Sequence, residues 1–408
     1  MKKLVAYAIA VILLPISYAD MQKAWNPRYD GYHNCVREWW NIDAFIRADK
    51  NYSITASFEY EKETPAANLF FTIFDWDEKK VYDLGSYEDN ISIMKCKGKY
   101  SVNISYGKSW MKGKYPRYEA HFENKGIIVE IEIYAETSPS FVLEKEGGKL
   151  PMGFGYYRYL FIPKCKAYGW MYIEGKYVEF EGTAYYEHVW GNWSYNRPLR
   201  GNPINYLEII DWWWENKNIS KGSITLSTNN PFGYDWAWIS FDNGWTLFYG
   251  AIPFWFEEIK FAIAYLYNGE KIIELGKINY EYLEGVFCEG AYIPIKIKIY
   301  AENLEITIEM DNVPHIYKDD LNSAYWKKLI LYECPGKVYG IYENKINLTG
   351  NCEIEIERQI SIFEYNMLKF NFYDGVEIIF VSYFLNLMIK LQAIFHPFSI
   401  NFSISKIR

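Results

Sequence analysis

The stretch Ile295-Lys-Ile-Lys-Ile299, followed by Leu304-Glu-Ile-Thr-Ile-Glu-Met310, alternates strictly between apolar and polar residues. A period of two places Ile295, Ile297 and Ile299 on one face of a strand and Lys296 and Lys298 on the other. Ile127, Val129, Ile131 and Ile133 repeat the pattern against Glu130 and Glu132, and so does Cys352-Glu-Ile-Glu-Ile-Glu357. Each segment reads as a β-strand with one buried and one wet face. Asn243-Gly244 and Asn268-Gly269, lying between β-rich runs, mark two tight hairpins. Outside the first twenty residues no segment keeps a 3.6-residue period over several turns. The expected fold class is all-β, built from antiparallel meanders that hide their edges by closing into barrels or pairing into sandwiches.

Composition agrees. The 408 residues are 50% hydrophobic and 20% aromatic, with 39 Tyr and 16 Trp, so disorder is excluded and strands are favoured over helical bundles. The net charge of -8, without runs of like charge, argues against a nucleic-acid partner, because neutralising phosphates needs clustered Lys and Arg. The polar Pro/Gly stretch Tyr195-Asn-Arg-Pro-Leu-Arg-Gly-Asn-Pro203 divides the chain into an N-terminal β domain at 20–200 and a C-terminal one at 201–360. Residues 361–408 form an apolar extension. Its core, Val376 to Ile400, carries Glu377, Asn386, Lys390, Gln392 and His396, which suits a covering segment or peripheral membrane contact better than a bilayer span.

Residues 1–19 have the layout of a secretory signal: Lys2 and Lys3, an apolar run from Leu4 to Leu14, Pro15, and small residues Ser17 and Ala19 before the expected cleavage point. The chain is therefore expected to be secreted or cell-surface. Six scattered cysteines, Cys35, Cys96, Cys165, Cys288, Cys334 and Cys352, without a C-x-x-C, suit disulfides in such a protein; only Cys334 with Cys352 is suggested locally, and buried thiols are the alternative there. Seven glycosylation sequons, at Asn51, Asn90, Asn103, Asn192, Asn218, Asn347 and Asn401, point to a glycoprotein.

Three clusters set a carboxylate beside indoles: Glu38-Trp39-Trp40, Glu187-His188-Val189-Trp190-Gly191-Asn192-Trp193, and Asp235-Trp236-Ala237-Trp238. A carboxyl in an apolar wall is harder to ionise and can serve as a general acid near neutral pH, while an indole face can stabilise a developing carbocation. Protonating an isolated carbon–carbon double bond needs both. The bland alternative is that each Trp plugs a barrel end and each acid accepts hydrogen bonds from backbone or indole N–H. None of the five histidines stands at H-x-H or H-x-x-x-H spacing, so no metal site is expected and His188 reads as a hydrogen-bonded imidazole. Phosphate-loop, dinucleotide and nucleophile-elbow motifs are absent, and no cofactor is expected.

These clusters resemble the motifs of the AttH and carotenoid 1,2-hydratase (hydroxyneurosporene synthase) family. Its early E-W-W, central G-x-A-W-x-D/E-H-Q-W-G, later W/Y-D-W and final Y-W-E-G are matched by Glu38-Trp39-Trp40, Gly182 to Gly191, Tyr234-Asp235-Trp236 and Tyr325-Trp326, in that order over roughly residues 33 to 360. Tyr185 stands in place of Trp, Val189 in place of Gln, and Lys327-Lys328 in place of Glu-Gly. The resemblance implies two lipocalin-like (calycin-type) domains. It further implies that Glu187 or Asp235 protonates an alkene, with Glu38, Trp39, Trp40, His188, Trp190, Trp193, Trp236, Trp238, Tyr325 and Trp326 around the ligand.

The expected function is binding of a hydrophobic small molecule, an isoprenoid or lipid, in an aromatic cavity, with hydration or cyclisation by acid catalysis. Two rivals stay open: a non-catalytic lipid carrier and a glycan-binding surface protein. Exposed indoles along a shallow groove would favour sugar, and enclosed ones lipid.

Overall fold

The computed structural model describes residues 26–143, 148–152, 155–194, 201–202, 204, 224–227, 232–253, 260–276, 278–289, 291–319, 326–361, 366–371, 377–382 and 402–404. The chain divides into two compact units, Met1–Asn205 and Tyr206–Arg408. Each contains a curled antiparallel sheet, and the fold is all-β with two lipocalin-like domains. The signal-like segment 1–19 lies outside the described residues.

In the first unit the central strands run in the order Ala66–Asp75, Asn51–Glu61, Arg37–Arg47, Lys176–Gly191, Gly155–Ile173, Ile127–Ala135, Arg117–Asn124. The first long strand of the unit thus pairs with its last, a contact no local turn could make. In the second unit Phe232–Phe241 likewise lies between Thr246–Pro253 and the final long strand Ile346–Ser361. Both hairpins expected at Asn243-Gly244 and Asn268-Gly269 are present, with the glycines at φ 83° and 91°.

The alternation holds over 127–133 and 297–308, and not over 352–357. Ile127, Val129, Ile131 and Ile133 face one core, while Ile297, Ile299, Ile306 and Ile308 face the other. The central strands depart from it, because both of their faces are buried. Asn41, Asp43, Thr55, Ser57, Glu59 and Glu61 are buried on the face opposite Trp40, Ile42 and Ala44, and Glu353 and Glu357 opposite Ile354 and Ile356. Buried polar groups need partners. Arg37 pairs with Glu59, Ser194 donates to Glu61, Asn41 donates to Asp43 at 2.5 Å and Gln359 to Glu357 at 2.7 Å.

The expected disulfides are not there: all six cysteines are free thiols. Register explains the local case. Cys334 lies opposite Ile354 and Cys352 opposite Gly336, so the two sit on a diagonal of the ladder, and their Sγ atoms point to the carbonyls of Asn312 and Lys337 instead. Within the apolar extension, Asn366–Asn371, Glu377–Ser382 and Phe402–Ile404 join Ile224–Ser227 in a separate four-stranded sheet. Most of Val376 to Ile400 lies outside the described residues. Among the described residues, no helix is long and apolar enough to cross a membrane.

Candidate functional site

Glu187 and His188 are neighbours in sequence and point to opposite faces of one sheet. In a strand, consecutive side chains alternate. Trp40, Tyr186 and Ala184 belong to the core inside the first domain, and His188 and Glu38 share their parity. Val189, Tyr157 and Trp193 form a second cluster on the other face, with Trp39 and Tyr159 packed against it, and Glu187 shares theirs. The acid–indole motifs therefore build two sites back to back.

On the outer face, Glu187 is 6% exposed. Its carboxylate accepts from the Trp39 indole Nε1 at 2.7 Å, from Tyr185 Oη at 2.8 Å and from Tyr159 Oη. All three donors are neutral, and among the described residues no Lys, Arg or His forms an ion pair with it. Burial pushes the carboxyl above its ordinary range, and the three hydrogen bonds only partly offset that. Tyr185 is one of the three donors. Trp39 and Tyr159 are half-buried, so this is the side from which Glu187 can be approached. Trp39 stands edge-on to Tyr157 at 4.9 Å and Tyr159 at 6.5 Å, with Trp193 against Tyr157.

On the inner face, Glu38 and His188 are both fully buried. Glu38 accepts from the His33 backbone N–H at 3.0 Å and from Tyr60 Oη at 2.7 Å, and its Oε1 lies 2.9 Å from both His33 Nδ1 and His188 Nε2. Burial would raise this carboxyl, but the hydrogen bonds from His188 and His33 win and hold it at about 2. Burial pulls the His188 imidazole below its ordinary value, opposed by Glu38. His188 stacks on Trp40 at 4.7 Å and His33 on Trp190 at 3.9 Å. Gly191 lets three strands close beside these residues: a Cβ there would lie 2.0 Å from the Tyr156 carbonyl oxygen.

In the second domain, Asp235 shares the inward parity of Ala237 and Ile239, whereas Trp236 and Trp238 point to the opposite face. Asp235 Oδ1 pairs with Arg358 Nη2 at 2.7 Å, and Oδ2 accepts from Tyr282. Arg358, 2% exposed, also donates to the carbonyls of Tyr234, Glu357 and Tyr292 at 3.1, 2.8 and 3.3 Å. Asp235 is thus locked to a buried cation, unlike Glu187.

Of the sequence-derived candidates, Glu38, Trp40, His188 and Trp190 come together and Glu187, Trp39 and Trp193 come together elsewhere in the first domain, while Asp235, in the second, is held by Arg358 and Tyr282. Tyr325 lies outside the described residues, and so does the side chain of Trp326. The sequence reading missed His33, Tyr60, Tyr159, Arg358 and Tyr282. Only Arg358 left a signal, since it falls in phase with Cys352, Ile354 and Ile356, a charge on an otherwise apolar face.

No protein-family model and no curated protein matches the chain by sequence. Solved structures do match by fold. An AttH-type protein from Nitrosomonas europaea superposes with a TM-score of 0.59 at 15% identity, over 81% of this chain and 96% of that one. Kievitone hydratase from Nectria haematococca gives 0.58 at 12% identity, over 82% and 93%. CghA gives 0.51 at 9% identity, over 80% and 88%. At these identities the likeness is one of fold.

Proposed function

From a chain that shares the fold of a hydratase and buries one carboxyl among neutral donors, we propose an enzyme that hydrates or cyclises an alkene of a hydrophobic small molecule, with Glu187 as the general acid. The carrying observation is the hydrogen-bond set of Glu187. Three neutral donors orient the carboxyl, and among the described residues no cation pairs with it, so its proton is available to a substrate. The reaction balances simply: the alkene carbon takes the Glu187 proton, the neighbouring carbon becomes cationic, and water or an internal nucleophile adds to it. The proton that water then loses returns to the carboxylate. Trp39, whose N–H is tied to Glu187, would offer the developing cation the ring face opposite the Arg37 guanidinium, which lies 5.6 Å from the ring centroid. Tyr157, Tyr159 and Trp193 supply the apolar surroundings.

Asp235 does not fit the same role, because its partner is Arg358. Burial of Trp40, Trp190, Trp193, Trp236 and Trp238 speaks against the reading in which these indoles lie along an exposed sugar groove. Export through residues 1–19 and glycosylation belong to the same proposal. The sequon asparagines at 51, 90, 103, 192 and 347 are all exposed, which supports it.

The test is lipid analysis of the protein purified from its own host, followed by turnover of the released compound or its alkene precursor. Glu187→Gln keeps the size and one acceptor oxygen and removes the acid, so turnover falls by about 10²–10⁴ while binding persists. Undiminished turnover in this variant refutes the assignment. Retention of the ligand without chemical change by the wild type leaves a carrier instead.

A further inference from the structure

The inner-face trio His33, Glu38 and His188 is a separate matter from Glu187, and its geometry asks for a cation. The Tyr29 carbonyl, 2.7 Å from His188 Nδ1, can only accept, so Nδ1 carries a hydrogen. The other ring nitrogen, Nε2, then faces a carboxylate oxygen at 2.9 Å. A neutral imidazole protonated at Nδ1 would set its Nε2 lone pair against that oxygen, so either a proton or a metal ion lies between them. His33 Nδ1 reaches the same Oε1 at 2.9 Å, and the ligating atoms of all three residues lie within 4.8 Å of one another.

We propose that His33 Nδ1, Glu38 and His188 Nε2 form a zinc(II) site. Two imidazoles and one carboxylate are a donor set that zinc takes in three-ligand sites, with a fourth position left for water. Zinc–ligand bonds of ~2.0–2.2 Å put tetrahedral donors about 3.4 Å apart, so the present 2.9 Å separations need to open by only about 0.5 Å. The surroundings are those of a metal centre. The Tyr29 carbonyl fixes the His188 tautomer, Tyr60 holds the second carboxylate oxygen, and the faces of Trp40 and Trp190 fix both ring planes. His33 is the way in: its side chain is 20% exposed, whereas Glu38 and His188 are at 0%. A sequence scan passes over this set because His33 and Glu38 are five positions apart and Glu38 and His188 are 150 apart.

The experiment uses the full mature chain, stripped with a chelator and titrated with zinc chloride by calorimetry. The expected result is one zinc per chain. His33→Ala, at the exposed edge of the site, weakens binding more than about 10-fold, whereas His121→Ala, on the strand Arg117–Asn124 outside the trio, leaves it unchanged. Near-UV circular dichroism checks that His33→Ala keeps the wild-type fold. Cobalt(II) bound in place of zinc gives a visible d–d spectrum that His33→Ala loses. Absence of stoichiometric binding by the wild type overturns the proposal, and so does undiminished binding by folded His33→Ala. The readout is metal binding alone, so failure here leaves the Glu187 reading standing, and failure of that reading leaves this one.

Discussion

Arg358→Met tests whether Asp235 is a structural anchor. The substitution keeps the length of the stem and removes a guanidinium that is 2% exposed and bound to Asp235 and to three backbone carbonyls. Asp235 is left with Tyr282 alone. Removing one partner of a buried pair typically costs about 3–5 kcal/mol, because the surviving charge stays buried without compensation. For a domain of this size each kcal/mol lowers Tm by about 2–4 °C, so the second-domain transition should fall by about 10 °C. The assay is urea and thermal unfolding at pH 7, followed by near-UV circular dichroism. The double variant Asp235→Leu/Arg358→Met should recover most of the loss, since replacing the whole pair removes both buried charges. A single-variant cost below about 1 kcal/mol, or a double variant as unstable as the summed singles, would refute the reasoning.

Three further outcomes are expected. Gly191→Ala forces a Cβ to within 2.0 Å of the Tyr156 carbonyl oxygen, so chemical denaturation should show a loss of about 1–3 kcal/mol from strand displacement. Under denaturing, non-reducing conditions six thiols per chain should react with iodoacetamide. In the native state Cys35 and Cys96, both pushed up to about 12 by burial, should react far more slowly, and fewer than six thiols after denaturation would restore the disulfide reading. Glu289 bridges Lys318 and Lys328 at 2.7 and 2.9 Å, and hydrogen bonds from Lys318 and Lys328 lower its carboxyl to about 2. A depressed folded-state value means that its contribution is present above the ordinary glutamate range and is lost as pH falls toward 2. An NMR titration of the Glu289 carboxyl should show this acid shift, and 1 M salt should weaken it because the pair is exposed.

Alternation alone determined that this chain is made of antiparallel strands, and it assigned Ile127 to Ile133 and Leu304 to Met310 to their faces, because side-chain direction in a strand repeats every two residues whatever the partner. The same rule already separates Glu187 from His188, although a motif read as a string hides it. Three things were beyond that rule. The bulge between Ile162 and Cys165 shifts the strand's phase, so that Tyr157 and Tyr159 face Glu187 while Cys165 and Ala167 turn inward. Burial of both faces of the central strands turned Glu353 and Glu357 from expected wet positions into interior ones. Most of all, pairing of each domain's first and last long strands brought Glu38 to His188 and Asp235 to Arg358. Periodicity is a local property of the backbone and survives in any fold. Which carboxylate meets a neutral phenol, an imidazole or a guanidinium depends on register between strands more than a hundred residues apart, and only the tertiary structure sets that.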